Sequence, residues 1–333
     1  MTNGAPSGFL GWVARVSRQK DEKSAVAMLS VVSNTALVAF KLAIGVLIGS
    51  VSVISEAVHS GVDLAAAVIA LFAVRTAARP ADESHSFGHG KFENLSGAVE
   101  ALLIFAAAAW IVHEALHKLV QPGDIEMAGW GVVIMLVSCL VNLGVSRMLF
   151  RVGRRADSVA LLADAWHLRT DVYTSAGVMA GLSLYSLGRK LFPSVDLRWL
   201  DPVAAIAVAL LIIRAAYDLT AQSVRDLLDQ SLPDEEVRVI RERVRGVGPA
   251  ARSFRNLRTR KAGAVRFVEM ELVVDPGMSV VESHAVADLV AARIRGTYPG
   301  AEVTVHIEPC ASDCSDDCRV SCPAPADAEK GRS

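Results

Sequence analysis

Six stretches of nearly unbroken apolar residues run through the first two thirds of the chain, near 25–49, 51–75, 95–118, 127–149, 159–187 and 199–222. Each is long enough to cross a hydrocarbon core as a helix, which takes roughly 20 residues. The breaks between them carry turn chemistry or charge: IGSVS, RPADESHSFGHGK, QPGDIE, RVGRRADS and LGRKLFPSVD. The pattern predicts a polytopic α-helical membrane protein with six transmembrane helices. Upstream, Phe9, Trp12, Val13 and Val16 fall at helical spacing. That spacing suits a helix lying along the membrane surface as well as it suits a frayed terminus.

The pattern changes in the last third. SLPDEEVRVIRERVRGV opens on Pro233 and acidic residues, as a helix N-terminus does. SFRNLRTR and AVRFVEMELVVD then alternate in the manner of strands, with Val268, Met270, Leu272 and Val274 on one apolar face. A helix over SVVESHAVADLVAARIRGTY and a short strand, AEVTVHIE, follow. The order α-β-β-α-β predicts a small α+β domain with its helices on one face of a three-stranded sheet. The expected division is 1–24 as a cytoplasmic segment, 25–222 as the membrane domain, 223–309 as the α+β domain and 310–333 as a Cys-rich tail.

Composition supports the membrane assignment. Of 333 residues, 52% are hydrophobic, too many for an ordinary soluble chain, and the formal net charge of -1 gives no electrostatic footprint for nucleic acid. The basic segment RVSRQKDEK leads into a span-length stretch rather than a short apolar core with a cleavage site, so no cleaved leader is expected. Arg15, Arg18, Lys20 and Lys23 precede the first span, Arg75, Arg79 and Lys91 follow the second, and Arg147, Arg151, Arg154 and Arg155 follow the fourth. The loop after the fifth span blurs this with Arg189, Lys190 and Arg198. By the positive-inside rule both termini are cytoplasmic, in a multi-pass protein of the cell (inner) membrane.

Two spans carry ionisable groups that lipid penalises. SEAVHSGVDL in the second contains His59 and Asp63, and ADAWHLRTD in the fifth contains His167 and Asp171. Both couples are four residues apart, which stacks imidazole and carboxylate on one helix face. If the two faces meet, two nitrogens and two oxygens surround one point, a tetrahedral set that suits zinc. A divalent cation would cancel both aspartate charges, and the empty site would draw in protons instead. Metal and protons then compete for the same ligands, and carrying the site between membrane faces would make that competition an antiport. One His–Asp couple alone reads equally well as a hydrogen bond that glues helices together; two identical HxxxD couples are harder to assign to glue. Glu56 and Asp164 fall on similar faces and read as an entrance lining or as polar helix ends. Lys41, Glu100 and Arg214 receive no role.

Together with RPADESHSFGHGKFENL after the second span and LLDQSLPDEE at the entry to the soluble domain, HSGVD and ADAWHLRTD resemble the cation diffusion facilitator family, over nearly the whole chain from Ala25 to Pro309. The resemblance implies six transmembrane helices, a metallochaperone-like cytoplasmic domain, a homodimer in the lipid bilayer and metal/proton antiport. It also implies that His59, Asp63, His167 and Asp171 are the transport ligands. A His–Asp couple in both spans resembles the zinc-preferring branch, with iron, cobalt, cadmium and manganese as alternative substrates.

The family likeness implies a peripheral metal site at Asp82, His85 and His89. By spacing alone these residues share a helix face or converge in a Gly-rich loop, where they would serve as ligands or as loop anchors. It further implies a salt bridge between Lys91 and Asp229. In the soluble domain the family's ligand positions read Arg255, Glu271, His284, His306 and Glu308. With an arginine among them, the expectation is a single site from His284, His306 and Glu308 rather than a cluster. In the tail, Cys310, Cys314, Cys318 and Cys322 recur at every fourth position, a spacing that suits a soft metal and is no part of the family pattern. Zinc or another divalent ion is thus expected as substrate and as regulator, with no catalytic cofactor. Two other classes remain: an intramembrane metalloenzyme, for which there is no HExxH and no open coordination position, and a metal sensor without transport.

Overall fold

The computed structural model describes residues 9–48, 51–120, 129–191 and 199–310. Six long helices come first: α1 (Phe9–Ile48), α2 (Val51–Ala77), α3 (Lys91–Val120), α4 (Gly129–Ala156), α5 (Val159–Leu191) and α6 (Leu200–Leu227). Five of them, α1 to α4 and α6, contain a described stretch long and apolar enough to cross a membrane, and α5 has 33 residues. They form a helical transmembrane domain. Large apolar side chains face outward along it, among them Leu47 at 83% exposure and Trp110 at 69%, as lipid-facing helices require. α1 begins earlier than the expected first span. Between Gly11 and Gly45 it has no proline or glycine, so nothing separates the basic amphipathic segment from the apolar one.

The chain divides into two compact units, Ala14–Leu227 and the described residues from Leu228 onward. In the first, α3 packs chiefly on α6 and α5, and α4 on α5. Gly97 allows the α3 contact: a Cβ there would lie 2.7 Å from Val159 Cγ1 and 2.8 Å from Ser223 Oγ. Buried polar contacts fix the helices further. Glu93, 1% exposed, accepts from Lys23 of α1 and from Ser158 at the start of α5. Asn94 donates to Asp226 of α6 at 2.9 Å, and Lys41 of α1 donates to Ser60 of α2 at 2.7 Å.

The second unit has the predicted α-β-β-α-β order: α7 (Asp234–Arg245), β1 (Ser253–Ala262), β2 (Val265–Val274), α8 (Val280–Thr297) and β3 (Glu302–Pro309). β1 and β2 form an antiparallel hairpin, and β3 returns parallel to β2 after α8. The alternation of β2 sends Val268, Met270, Leu272 and Val274 into a core with Ile240, Val244, Val290 and Ile294 of the two helices. A bulge interrupts the hairpin between Arg255 and Arg258, with Asn256 in left-handed backbone at φ 50°. α8 starts on a capping box: Ser279 accepts from Glu282 N, and the Glu282 carboxylate accepts from Ser279 N at 2.9 Å. Ser279→Ala removes one acceptor from that first turn. The cost is about 1 kcal/mol, and amide exchange there should quicken about fivefold by mass spectrometry.

Candidate metal centre

α2 presents His59 and Asp63, and α5 presents His167 and Asp171. The couples form between the helices rather than within them. His167 Nε2 lies 3.0 Å from Asp63 Oδ1, with both side chains buried. His59 Nε2 lies 4.0 Å from Asp171 Oδ1 on the more open side, where the His59 side chain is 56% exposed. His59, Asp63 and Asp171 each offer a ligand atom within 4.8 Å of the other two. The four residues therefore sit around one region as two nitrogens and two carboxylates. In the absence of metal a proton must lie between His167 Nε2 and Asp63 Oδ1, since neither a bare imidazole nitrogen nor a carboxylate can donate.

Asn142 of α4 completes the surroundings, its Nδ2 donating to Asp171 Oδ2 at 3.3 Å and leaving Oδ1 toward His59. Sequence reading missed it: an amide inside a span shows polarity but not its partner. The Glu56 side chain falls outside the described residues. Asp164 is wholly buried in α5 beside Ser30 of α1.

The second cluster forms in the loop between α2 and α3, by turns and not on a helix. Asp82 Oδ1 accepts from Ser84 N at 3.0 Å and His85 N at 2.7 Å, and Gly88 turns the chain at φ 78°. These bonds, His85 N–H first, hold the Asp82 carboxyl below its ordinary pKa. His85 Nδ1 lies 3.4 Å and His89 Nε2 3.2 Å from the same carboxylate. His89 Nδ1 is 3.2 Å from Pro80 O, which can only accept, so Nδ1 carries the proton. His89 Nε2 then meets the Asp82 carboxylate either through a proton on that nitrogen or across a bound cation. Both the anchoring and the ligand readings of this loop find their contacts here.

The remaining expected residues lie apart. Lys91 donates to Leu227 O at 3.3 Å, and Asp229 accepts from Arg260 at 3.3 Å; the two residues of the expected bridge belong to different units. On the sheet, His306 Nε2 is 2.9 Å from Glu308 Oε1, and Arg255 reaches Glu271 at 2.7 Å and Glu308 at 3.6 Å. His284, on α8, pairs with Asp288 at 3.6 Å, and among the described residues it forms no three-ligand group with His306 and Glu308. Cys310 is the described member of the tail, its N–H bonded to Val274 O at 2.9 Å; Cys314, Cys318 and Cys322 lie outside the described residues.

Comparison with known proteins follows this geometry. Residues 27–228 match the cation efflux transmembrane domain, and residues 232–310 match the cytoplasmic domain of cation efflux proteins. The chain belongs to the cation efflux, or cation diffusion facilitator, family. It is 33% identical over 263 residues to the cation-efflux pump FieF of Klebsiella pneumoniae, covering 78% of this chain and 84% of the pump. An uncharacterised transporter of Synechocystis sp. is 32% identical over 283 residues, 85% of this chain and 89% of its own. A solved structure of CzrB in its zinc form is 36% identical and covers 26% of this chain and 99% of its own, at a TM-score of 0.24. This family member is a multi-pass membrane protein that transports divalent metal cations, and its cytoplasmic domain is of the dimerising type.

Asn142→Ala leaves all four candidate ligands in place but removes one hydrogen bond that orients Asp171. Metal affinity should fall about 10- to 100-fold in an equilibrium titration of the purified protein; unchanged affinity would remove Asn142 from the site.

Proposed function

We propose that the protein exports a divalent cation, zinc foremost, from the cytoplasm in exchange for protons. It works as a homodimer in the cell (inner) membrane with both termini cytoplasmic. The observation that carries this is the pairing across α2 and α5, His167 with Asp63 at 3.0 Å and His59 beside Asp171 at 4.0 Å. A dication drawn into that set neutralises two carboxylates and expels the proton shared by His167 and Asp63. Release on the other side lets a proton return. Four protein ligands, two of them imidazole, favour a tetrahedral ion, hence zinc before the hard, oxygen-seeking cations. Iron(II), cobalt, cadmium and manganese are the competing cargoes. The closed ligand set also weighs against hydrolysis, which needs an open position.

The peripheral clusters belong to the same proposal as metal-sensing sites. Asp82, His85 and His89 form one, beside a Lys91–Asp229 bridge. A single ion at His306 and Glu308, with His284, forms another, although Arg255 already neutralises Glu308 and Glu271. The four tail cysteines supply thiolates for a soft ion.

Proteoliposomes with an imposed pH gradient and a panel of divalent ions test the main reading. Zinc uptake should exceed that of the other ions, and Asp63→Ala and Asp171→Ala should each abolish it. Retained uptake in both variants contradicts the assigned site, and a different preferred ion corrects the cargo. For the loop, cobalt counting by absorption should show one bound equivalent fewer per chain in Asp82→Ala, while His306→Ala reports on the cytoplasmic site in the same way.

A further inference from the structure

The outward face of α4 changes character along its length. At 3.6 residues per turn, Leu136, Leu140, Arg147, Arg151 and Arg154 fall within about 60° of one another around the helix. All five are exposed. The apolar pair comes first, and the arginines follow toward the end of the helix. Between Arg147 and Val159 the chain has a single acidic residue, Asp157.

Arg169 of α5 meets this part of α4 at Phe150. The Arg169 guanidinium carbon lies 5.3 Å from the centre of the Phe150 ring, and that of Arg154 lies 5.4 Å from it. Trp166 meets the same ring edge-on at 5.2 Å. Two cations from two helices therefore share one aromatic ring. Stacking offsets part of the cost of holding a guanidinium against apolar surface, but it satisfies none of its five N–H donors. Arg169 Nε is buried with no hydrogen-bond partner. Among the described residues, Arg147, Arg151, Arg154 and Arg169 have no carboxylate partner. In the soluble unit, by contrast, Arg238, Arg255 and Arg266 each pair with a glutamate.

Positive charge at the end of a span orients it in the membrane and needs no ligand. That accounts for Arg147 and Arg151. It does not account for a half-buried Arg169 stacked on the ring that Arg154 also uses, with a donor left over.

We infer that Phe150, Arg154 and Arg169 form a site for the headgroup of an anionic phospholipid, whose acyl chains lie along Leu140 and Leu136. The order along α4, apolar and then basic, is the order of a phospholipid from chain to phosphate. Phosphate oxygens accept from the planar forks of both arginines and supply the charge that neither finds within the protein. A headgroup held there joins α4 to α5 two residues from His167 and from Asp171. The inference needs only the membrane domain; it is independent of the cargo and of proton coupling.

The test uses the full-length protein in detergent, titrated with phosphatidylglycerol or with phosphatidylcholine of the same chains. Native mass spectrometry reads the lipids retained per chain. Phosphatidylglycerol should bind at least about tenfold tighter than phosphatidylcholine. That preference should vanish in the double variant Arg154→Gln, Arg169→Gln and weaken in Arg154→Gln alone. It should persist in Arg225→Gln, which removes an exposed arginine from the last turn of α6. Thermal unfolding in phosphatidylcholine checks the fold of each variant, and the single variant at exposed Arg154 decides the matter should the double variant not fold. No preference in the wild-type protein, or a preference that survives in the folded double variant, overturns the site. An equal loss in Arg225→Gln reduces it to diffuse surface charge and overturns it too. Inorganic phosphate at the lipid's concentration should not displace the lipid, since it has no chains; displacement would make this a site for free phosphate and refute the lipid assignment.

Discussion

Asp63 and Asp171 place two carboxylates inside a membrane-spanning bundle, and the rest of the molecule is arranged around neutralising them. An ionised group there is costly unless a counter-charge and hydrogen bonds meet it. In the metal-free state the counter-charges are protonated imidazoles or protons on the carboxyls themselves, as the 3.0 Å contact of His167 with Asp63 indicates. In the proposed loaded state a dication takes their place. In the proposed antiport the exchange of one for the other couples transport to protons, and it needs two helices, α2 and α5, that present their couples to a common point.

Holding those helices falls to contacts away from the site. Gly97 brings α3 against α5, Glu93 ties α1, α3 and α5 through Lys23 and Ser158, and Lys41 joins α1 to Ser60, the residue after His59. Asn142 adds a hydrogen bond to Asp171, one of the candidate ligands. A cation site built on helices in this way can be moved as a body without losing its geometry, which a site on loops could not. The loop cluster at Asp82 has the opposite character. Turns assemble it, with Asp82 and His85 exposed and His89 buried, and its proposed role is to respond to the concentration of free metal.

Much of this was legible in the chain. The spans announced themselves by length and the two HxxxD couples by contrast, because a charged residue in an apolar run has few structural excuses. The soluble domain followed from the alternation of Val268 to Val274 and the helix signals on either side. Other features were not legible, for reasons particular to each. The crossing of the couples, His167 with Asp63 rather than with Asp171, depends on how α2 and α5 face each other. Lys23 read as an orientation signal, yet it is the partner of a buried glutamate 70 residues away. Arg255 read only as an interruption in a ligand pattern; its hold on Glu271 and Glu308 needed the hairpin register and the bulge that turns Asn256.

The most direct measurement is X-ray absorption at the metal edge of the zinc-loaded protein, with the peripheral sites removed by Asp82→Ala, His306→Ala and Cys310→Ser, Cys314→Ser, Cys318→Ser and Cys322→Ser. Four nitrogen and oxygen ligands at about 2.0–2.2 Å are expected, with the outer-shell signature of two imidazoles, and that signature should drop to one in His59→Ala and in His167→Ala. A shell with sulfur ligands, or one unchanged by both substitutions, would contradict the account.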